Sequence, residues 1–252
     1  MLQAETTPNA AGVALRGDWD DLNQLYDSLS ELIGDEGEHE RYEAARIQVL
    51  GFMYDLRHAF EGSRDVRVEE NGMTREIMKY HGIVTPEKNV YFSFNTVWLE
   101  MLFVLAVLND FILLYSKKID KGAYIGERML RPKVAYQPAI AYTRHFQAVV
   151  LEALKKTVSE SAYVRLINAM THDYMYYGGY AVQFIEKLTI RYLDMDREKR
   201  LKNLTRFGNQ IVNRSGDYPK MLQQLRQAAM QYQCSIDELH LAESDYPETI
   251  DW

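Results

Sequence analysis

The stretch "VWLEMLFVLAVLNDFILLY", from Val97 to Tyr115, is the most apolar part of the sequence and decides how the chain folds. Its length approaches the roughly 20 residues that a helix needs to cross a bilayer. Glu100, Asn109 and Asp110 interrupt it, and each of these polar side chains would be costly in lipid. We therefore predict that it is the central, buried helix of a soluble fold and that the protein has no membrane partner.

The bulk composition agrees with a globular protein of the cytoplasm. The chain has 252 residues, of which 47% are hydrophobic, so it can fill a sizeable core. Its net charge of −7 disfavours a protein built to coat nucleic acid or to bind anionic membranes. A single cysteine, Cys234, excludes a disulfide framework and fits a reducing compartment. The N-terminal residues lack a basic region followed by an apolar run, so we expect no signal peptide.

The predicted secondary structure differs before and after the apolar stretch. Before it, three segments have the composition of β-strands: Gly12–Gly17, Arg64–Glu70 and Asn89–Asn95. Helical patterns lie between them, and one begins at Asp18, a favourable N-cap, and ends at Gly34. After the apolar stretch the β signal fades and helical patterns dominate.

These patterns predict an α+β fold that is predominantly α-helical. A small antiparallel sheet near the N-terminal half packs on a helical bundle that contains the central apolar helix. We expect residues 1–252 to form a single compact unit. Within it, residues 1–116 are an α+β front, residues 117–241 a helical back and residues 242–252 an acidic tail.

Four segments suggest a relationship with other proteins. They are "GVALRGDWDDLNQLYDSLSELIG", "YEAARIQVLGFMYDLRHAFEG", "PEKNVYFSFNTVWLEMLF" and the closing "YPETIDW". Together they resemble a family of uncharacterised bacterial proteins of about this length, over nearly the whole chain. The resemblance implies a single bacterial, cytoplasmic unit. The family has no assigned activity, so no functional residue is transferred from it.

The candidate catalytic residues lie in a segment that predicts one long helix from about Glu160 to Met195. A seam of apolar and tyrosine side chains recurs along it at steps of three and four, and we expect this seam to face the core or a partner helix. Its members are Ile167, Met170, Tyr174, Tyr177, Ala181, Phe184 and Leu188. Arg165 and His172 lie seven positions apart, on a face nearly opposite the seam. A solvated helix face is the simplest interpretation of this pair.

An arginine and a histidine at such a spacing on a late helix also resemble the active motif of HEPN domains, many of which cleave RNA as dimers. The resemblance implies that His172 would manage protons at the ribose hydroxyl and that Arg165 would stabilise charge on the phosphate. Leu166 stands where that family usually has a polar residue, and Asn168 arrives two positions later. Asn168, and Tyr176 on the same stretch, complete the candidate catalytic set.

Two Asp-x-x-His pairs have the spacing that carboxylate-bridged metal sites use. They are Asp55 with His58, and Asp237 with His240. Such sites also need glutamates that face inward from other helices, and the matching set is missing from the sequence. We interpret the first pair as a polar helix end, and we expect no metal and no other cofactor.

Glu100 and Asp110 lie within the apolar stretch, where a carboxylate is either paired or functional. Ten positions apart on a helix they point about 80° away from each other, so one site that uses both is awkward. We expect each to be bound by an arginine or a tyrosine hydroxyl, and a functional role stays open.

A basic segment from Asp196 to Arg214 could follow the phosphates of a nucleic acid. Phe207 is its only aromatic residue, whereas single-strand binders interleave several aromatic side chains with basic ones. A solvated helix face is therefore the preferred interpretation, and nucleic-acid contact is the weaker one.

Two functions from different classes follow from these observations. The first is a bacterial, cytoplasmic, non-catalytic helical protein-interaction module, which binds a protein partner or associates with itself as a homodimer. The alternative is a HEPN-like, metal-independent ribonuclease, a toxin or defence effector that uses Arg165 and His172. Whether the protein is an enzyme stays open at this point.

Overall fold

A four-stranded antiparallel sheet forms one layer of the fold. The computed structural model describes residues 1–122, 124–171, 176–240 and 246–252. The strands are β1 (Gln3–Thr6), β2 (Gly12–Gly17), β3 (Asp65–Glu70) and β4 (Lys88–Val97), arranged in the order β1-β2-β4-β3. The three predicted strands are confirmed. β1 escaped prediction because its sequence, QAET, has no apolar side chain larger than alanine.

Helices form most of the remaining chain, which confirms the predicted class of a predominantly helical α+β fold. In chain order they are α1 (Trp19–Ile33), α2 (Glu43–His58), α3 (Arg75–His81), α4 (Trp98–Ile119), α5 (Ile125–Leu130), α6 (Pro132–Ala135), α7 (Pro138–Thr157), α8 (Glu160–Met170), α9 (Gln183–Leu193), α10 (Arg197–Asn213) and α11 (Tyr218–Tyr232). A short 3-10 turn (Glu40–Tyr42) precedes α2, and a π-helical turn (Ala59–Ser63) follows it.

α4 is the predicted central helix. It is buried along almost its whole length, and α1, α2, α9, α10 and strand β2 all contact it. Among the described residues, α4 is the one helix long and apolar enough to cross a membrane, but 78% of its most apolar window is buried inside the fold. Because neighbours cover it on several sides, its sequence carries no polar stripe.

The first helix begins where the sequence predicts. The Asp21 N–H donates to Asp18 Oδ1 at 2.9 Å, and the Asp18 N–H donates to Asp21 Oδ2 at 3.2 Å. This reciprocal pair satisfies two backbone donors that a helix start otherwise leaves unbonded. Gly34 ends the helix with a φ of 68°, a conformation that other residues rarely adopt.

The sheet is closely packed where β2 pairs with β4. Leu15 and Phe94 are cross-strand partners, and both are buried on the inner face. A Cβ on Gly12 would lie 2.1 Å from the carbonyl oxygen of Thr96, so only glycine permits this approach.

The predicted single helix from Glu160 to Met195 is wrong. α8 ends at Met170, α9 begins at Gln183, and the described residues between them are not helical. Gly179 has a φ of 68° within this break.

A buried carboxylate explains the break. The N–H groups of Tyr176 and Tyr177 each donate to Asp110 Oδ2 at 2.6 Å, and neither residue is helical. A buried carboxylate without donors is very unfavourable, and this demand outweighs the local helical pattern. The seam is nevertheless mostly in the core. Met170, Tyr177, Ala181, Phe184 and Leu188 are buried, Ile167 is half-buried, and Tyr174 lies outside the described residues.

The close packing of α4 can be tested by a cavity mutation. Leu102 is fully buried, and its Cδ1 lies 3.0 Å from the position that a Cβ would occupy on Gly208 of α10. We expect Leu102→Ala to lower the free energy of unfolding by about 2–5 kcal/mol in urea titrations. The control Leu130→Ala removes a side chain that is 82% exposed, and we expect a change within about 0.5 kcal/mol. Equal stabilities of the two variants would contradict the central position of α4.

Candidate functional site

One segment stands clear of the rest of the fold. We call residues 61–90 the arm; it contains β3, α3 and the first residues of β4. Every residue of the arm is exposed except Met73, Met78 and Thr85, which are half-buried. The arm therefore contributes no side chain to the core.

The arm nevertheless has a definite conformation, which its own polar groups hold. Thr74 Oγ1 caps α3 by accepting from the Ile77 N–H at 3.3 Å, and Gly82 ends this helix with a φ of 64°. Asn71 ties the two sides of the loop together. Its Nδ2 donates to the Pro86 carbonyl at 2.9 Å, and its Oδ1 accepts from the Met73 N–H at 3.0 Å.

Large apolar side chains of the arm lie in water. They are Val66 at 47% exposure, Val68 at 58%, Ile77 at 39%, Tyr80 at 85%, Ile83 at 45%, Val84 at 100% and Val90 at 44%. A hairpin that buries little apolar surface gains only marginal stability by itself. Contiguous exposed apolar residues commonly mark an interaction surface. The arm is thus a candidate docking surface.

Several charged side chains of the arm form ion pairs. Glu69 pairs with Arg16 at 2.5 Å, and Glu70 pairs with Lys88 at 3.1 Å. The Arg16 guanidinium also lies 4.3 Å from the centre of the Tyr91 ring. By contrast, Arg67 is exposed and has no ion-pair partner within the described chain.

The candidate Arg/His set is divided by the end of α8. Arg165 and Asn168 are exposed on this helix, whose last residue is Met170. His172 lies outside the described residues, so the face that it would share with Arg165 stays a prediction. Leu166, beside Arg165, is fully buried.

Tyr176, the fourth candidate catalytic residue, belongs to the buried Asp110 cluster. Besides the two backbone donors, the Tyr42 hydroxyl donates to Asp110 Oδ2 at 3.0 Å, as predicted for this carboxylate. Burial and the neighbouring Asp110 raise the pKa of Tyr42. The Arg214 guanidinium stacks 4.3 Å from the centre of the Tyr176 ring and donates to the Tyr176 carbonyl. These contacts fix the chain that follows α8 onto α4.

The second carboxylate of α4, Glu100, is half-buried in a cleft. The Tyr246 hydroxyl donates to Glu100 Oε1 at 3.1 Å, which is again the predicted kind of partner. The cleft has a volume of about 330 Å³, and Phe52, Asp55 and Trp252 line it together with these two residues. Burial, together with the nearby charges of Asp55 and Glu186, raises the pKa of Glu100 to about 7, although the hydrogen bond from Tyr246 lowers it.

A carboxyl with this pKa could exchange a proton with a bound molecule near neutral pH. Of the described residues that line the cleft, however, none is a histidine, cysteine, lysine, arginine or serine. These lining residues thus supply Glu100 with no cationic partner; their polar groups are carboxyl, hydroxyl and amide groups, such as Asp55 and Thr96.

The predicted Asp-x-x-His pair on α2 has local partners. Asp55 accepts from Arg64 at 2.7 Å, and His58 Nδ1 lies 2.8 Å from the carbonyl oxygen of Tyr54. Within residues 1–122, 124–171, 176–240 and 246–252, no group of three or more His, Cys, Asp and Glu side chains could hold a metal. Asp237 and His240 lie within these residues.

The basic helix α10 uses two of its arginines within the chain. Arg200 is buried and donates to the carbonyl oxygens of Leu193, Asn9 and Asp251 at 2.6, 3.1 and 3.0 Å. Arg197 Nε donates to the Pro8 carbonyl at 2.9 Å. These arginines join both ends of the chain to α10.

The exposure of the arm was missed in the sequence analysis, although both of its strands were predicted. The available signal is the pattern "RDVRVEE", in which charged residues alternate with valines. Such a pattern fits a strand with one buried face, and only the three-dimensional arrangement reveals that the valine face is uncovered.

The raised pKa of Glu100 predicts a specific dependence of stability on pH. An unfolded glutamate has a pKa of about 4.3, so the folded chain holds this proton more tightly. The stabilisation is present at low pH and is lost as pH rises towards 7. We expect the stability of Glu100→Gln relative to wild type to increase by about 1–3 kcal/mol between pH 5 and pH 8, in urea titrations.

The control for this experiment is Glu152→Gln, whose side chain is 57% exposed on α7. Its stability relative to wild type should not change over the same pH range. A pH-independent difference for Glu100→Gln would show that Glu100 titrates as an ordinary glutamate.

Comparison with known proteins gives one match. A family model described as a domain of unknown function, DUF6904, covers residues 2–252. No curated protein and no solved structure matches the chain. The expected resemblance to a family without assigned activity, over nearly the whole chain, is therefore confirmed, and the chain belongs to the DUF6904 family.

Proposed function

We propose that this chain is a protein-interaction module of the bacterial cytoplasm, and that it acts by docking through the arm rather than by catalysis. The observation that carries the proposal is the arm itself. It is held in one conformation by hydrogen bonds at Asn71 and Thr74, yet its apolar side chains remain in water. Ordering a segment costs conformational entropy, and burial against a partner would offset that cost.

The composition of the arm suits a protein partner. It combines aliphatic residues, the aromatic Tyr80 and charges of both signs, as protein interfaces do. Nucleic acid is a less suitable partner, because Glu69, Glu70, Glu76 and Glu87 lie among the basic residues of the arm. Arg197 and Arg200 of α10 already bind carbonyl groups of the chain.

The ribonuclease alternative has weaker support. It requires Arg165 and His172 to work as a pair, and α8 ends between them. The cleft at Glu100 has a titratable carboxyl, and Asp55, Thr96 and Tyr246 also line it, but none of its described lining residues belongs to the Arg/His pair that the ribonuclease requires. A free Cys234 is compatible with the reducing cytoplasm that the proposal assumes.

Site-specific photo-crosslinking in the native cells tests this function. A photoreactive phenylalanine analogue replaces either Tyr80 of the arm, which is 85% exposed, or Tyr136 after α6, which is 80% exposed. Because the two tyrosines have the same size and nearly the same exposure, only their location differs. We expect a discrete crosslinked product from position 80, at least several-fold more abundant than from position 136. Absence of a product at position 80, or equal products at both positions, would overturn the proposal.

A further inference from the structure

The outer edge of the arm offers unused backbone hydrogen-bonding groups. Among the described residues, β3 is the last strand of the sheet and pairs with β4 alone. All six of its residues are exposed. An uncovered edge strand is a template for pairing with another strand.

The pairing pattern shows which groups of β3 point outwards. The Asn71 N–H donates to the Glu87 carbonyl at 3.1 Å, just beyond the end of the strand, in the same register as β3 and β4. Hydrogen-bonded pairs alternate along an antiparallel ladder, so the odd-numbered residues of β3 bond to β4. The N–H and C=O groups of Val66, Val68 and Glu70 therefore face the free edge.

The side chains of β3 separate by face. Asp65, Arg67 and Glu69 lie on one face of the sheet, and Val66 and Val68 lie on the other, because successive residues alternate. The charged face thus has the order acid, base, acid along the strand.

We propose that the arm binds a second copy of the same chain, with the two β3 strands paired antiparallel about a two-fold axis at Val68. This inference rests on the proposed function and names its partner. Val68 then lies opposite Val68 of the second copy, and Val66 lies opposite its Glu70. The two four-stranded sheets become one sheet of eight strands.

Charge selects this register. With Val68 at the axis, each Arg67 lies opposite Glu69 of the second copy, whose carboxylate also pairs with Arg16 of its own chain, and the Arg67–Glu69 pair occurs twice. Centring the axis on Arg67 instead places two arginines opposite each other, and centring it on Glu69 places two glutamates opposite each other. Like charges in directly opposed positions destabilise a strand pair, and opposite charges stabilise it.

One other register, with the axis at Val66, also pairs opposite charges, but its strands overlap too little. Centring the axis on Val66 pairs Asp65 with Arg67, but it moves Val68 opposite Arg64, which lies outside β3. Only one hydrogen-bonded pair then falls within the strands. The axis at Val68 uses all the outward groups of Val66, Val68 and Glu70, which gives about six interchain hydrogen bonds.

Charge reversal tests both the partner and the register. Arg67→Glu and Glu69→Arg each place like charges in opposition, so each variant alone should dimerise at least about tenfold more weakly than wild type. Mixed in equal amounts, the two variants again place Glu opposite Arg at both pairs, and they should form a heterodimer. Sedimentation velocity distinguishes the 29.4-kDa chain from a species of twice that mass. Arg75→Glu, on α3 and outside the paired residues, is the control that should dimerise like wild type.

Cysteine crosslinking tests the position of the axis. In a Cys234→Ser background, Val68→Cys should form an intermolecular disulfide under mild oxidation, because opposed strand residues lie about 4.5–5.5 Å apart. Val66→Cys should not, because the two copies of that residue would lie about 13 Å apart along the strands.

The outcomes separate this inference from the proposed function. Wild type that stays monomeric at high micromolar concentration, or a mixture that fails to recover the dimer, would overturn self-pairing. In that case, a product at position 80 that contains a different protein would leave the interaction module intact. Efficient crosslinking through Val66→Cys in place of Val68→Cys would overturn the register.

Discussion

A 22-residue helix without a polar face has to be enclosed, and the enclosure of α4 organises the rest of the fold. Helices α1, α2, α9 and α10 supply the apolar cover. The two carboxylates on α4 make a further demand, because each must receive donors within the interior. Asp110 receives them from Tyr42 and from the backbone after α8, whereas Glu100 receives one from Tyr246 near the C-terminus. The break between α8 and α9 and the docking of the C-terminal residues thus both follow from polar groups on the central helix.

The arm, in contrast to α4, leaves its apolar side chains uncovered. In the body of the protein, side chains such as Trp98 and Phe103 are fully buried in the core. The arm keeps valines and a tyrosine in water while using caps and an asparagine bridge to hold its shape. The alternating charges on β3 add a pattern that matches itself in antiparallel orientation. The arm is ordered although it is not buried, and the charges on β3 are complementary to those of a second copy. These two properties are the physical basis for the proposal that the protein is an interaction module that binds a second copy of itself.

The sequence was informative wherever a local pattern determines the outcome. The apolar run of α4, the Asp18 cap of α1 and the alternation of β3 and β4 all led to elements at the predicted places. The helical seam from Ile167 onwards indicated burial correctly for most of its described members but not the conformation, because Asp110, some 66 residues away in the chain, accepts from the N–H of Tyr176. The exposure of the arm also depends on parts of the chain that are distant in sequence. A strand pattern identifies the face that could be buried, but whether another element covers that face depends on the whole topology.

The most direct test of the account is hydrogen exchange along β3 at low and high protein concentration. The Arg67 and Glu69 amides bond to β4 in a single chain, whereas the Val66, Val68 and Glu70 amides point to the free edge. The account predicts that the amides of Val66, Val68 and Glu70 exchange rapidly when the protein is dilute and at least about tenfold more slowly when it is concentrated, while the amides of Arg67 and Glu69 are protected at both concentrations. Rapid exchange of the Val66, Val68 and Glu70 amides at every concentration would contradict it.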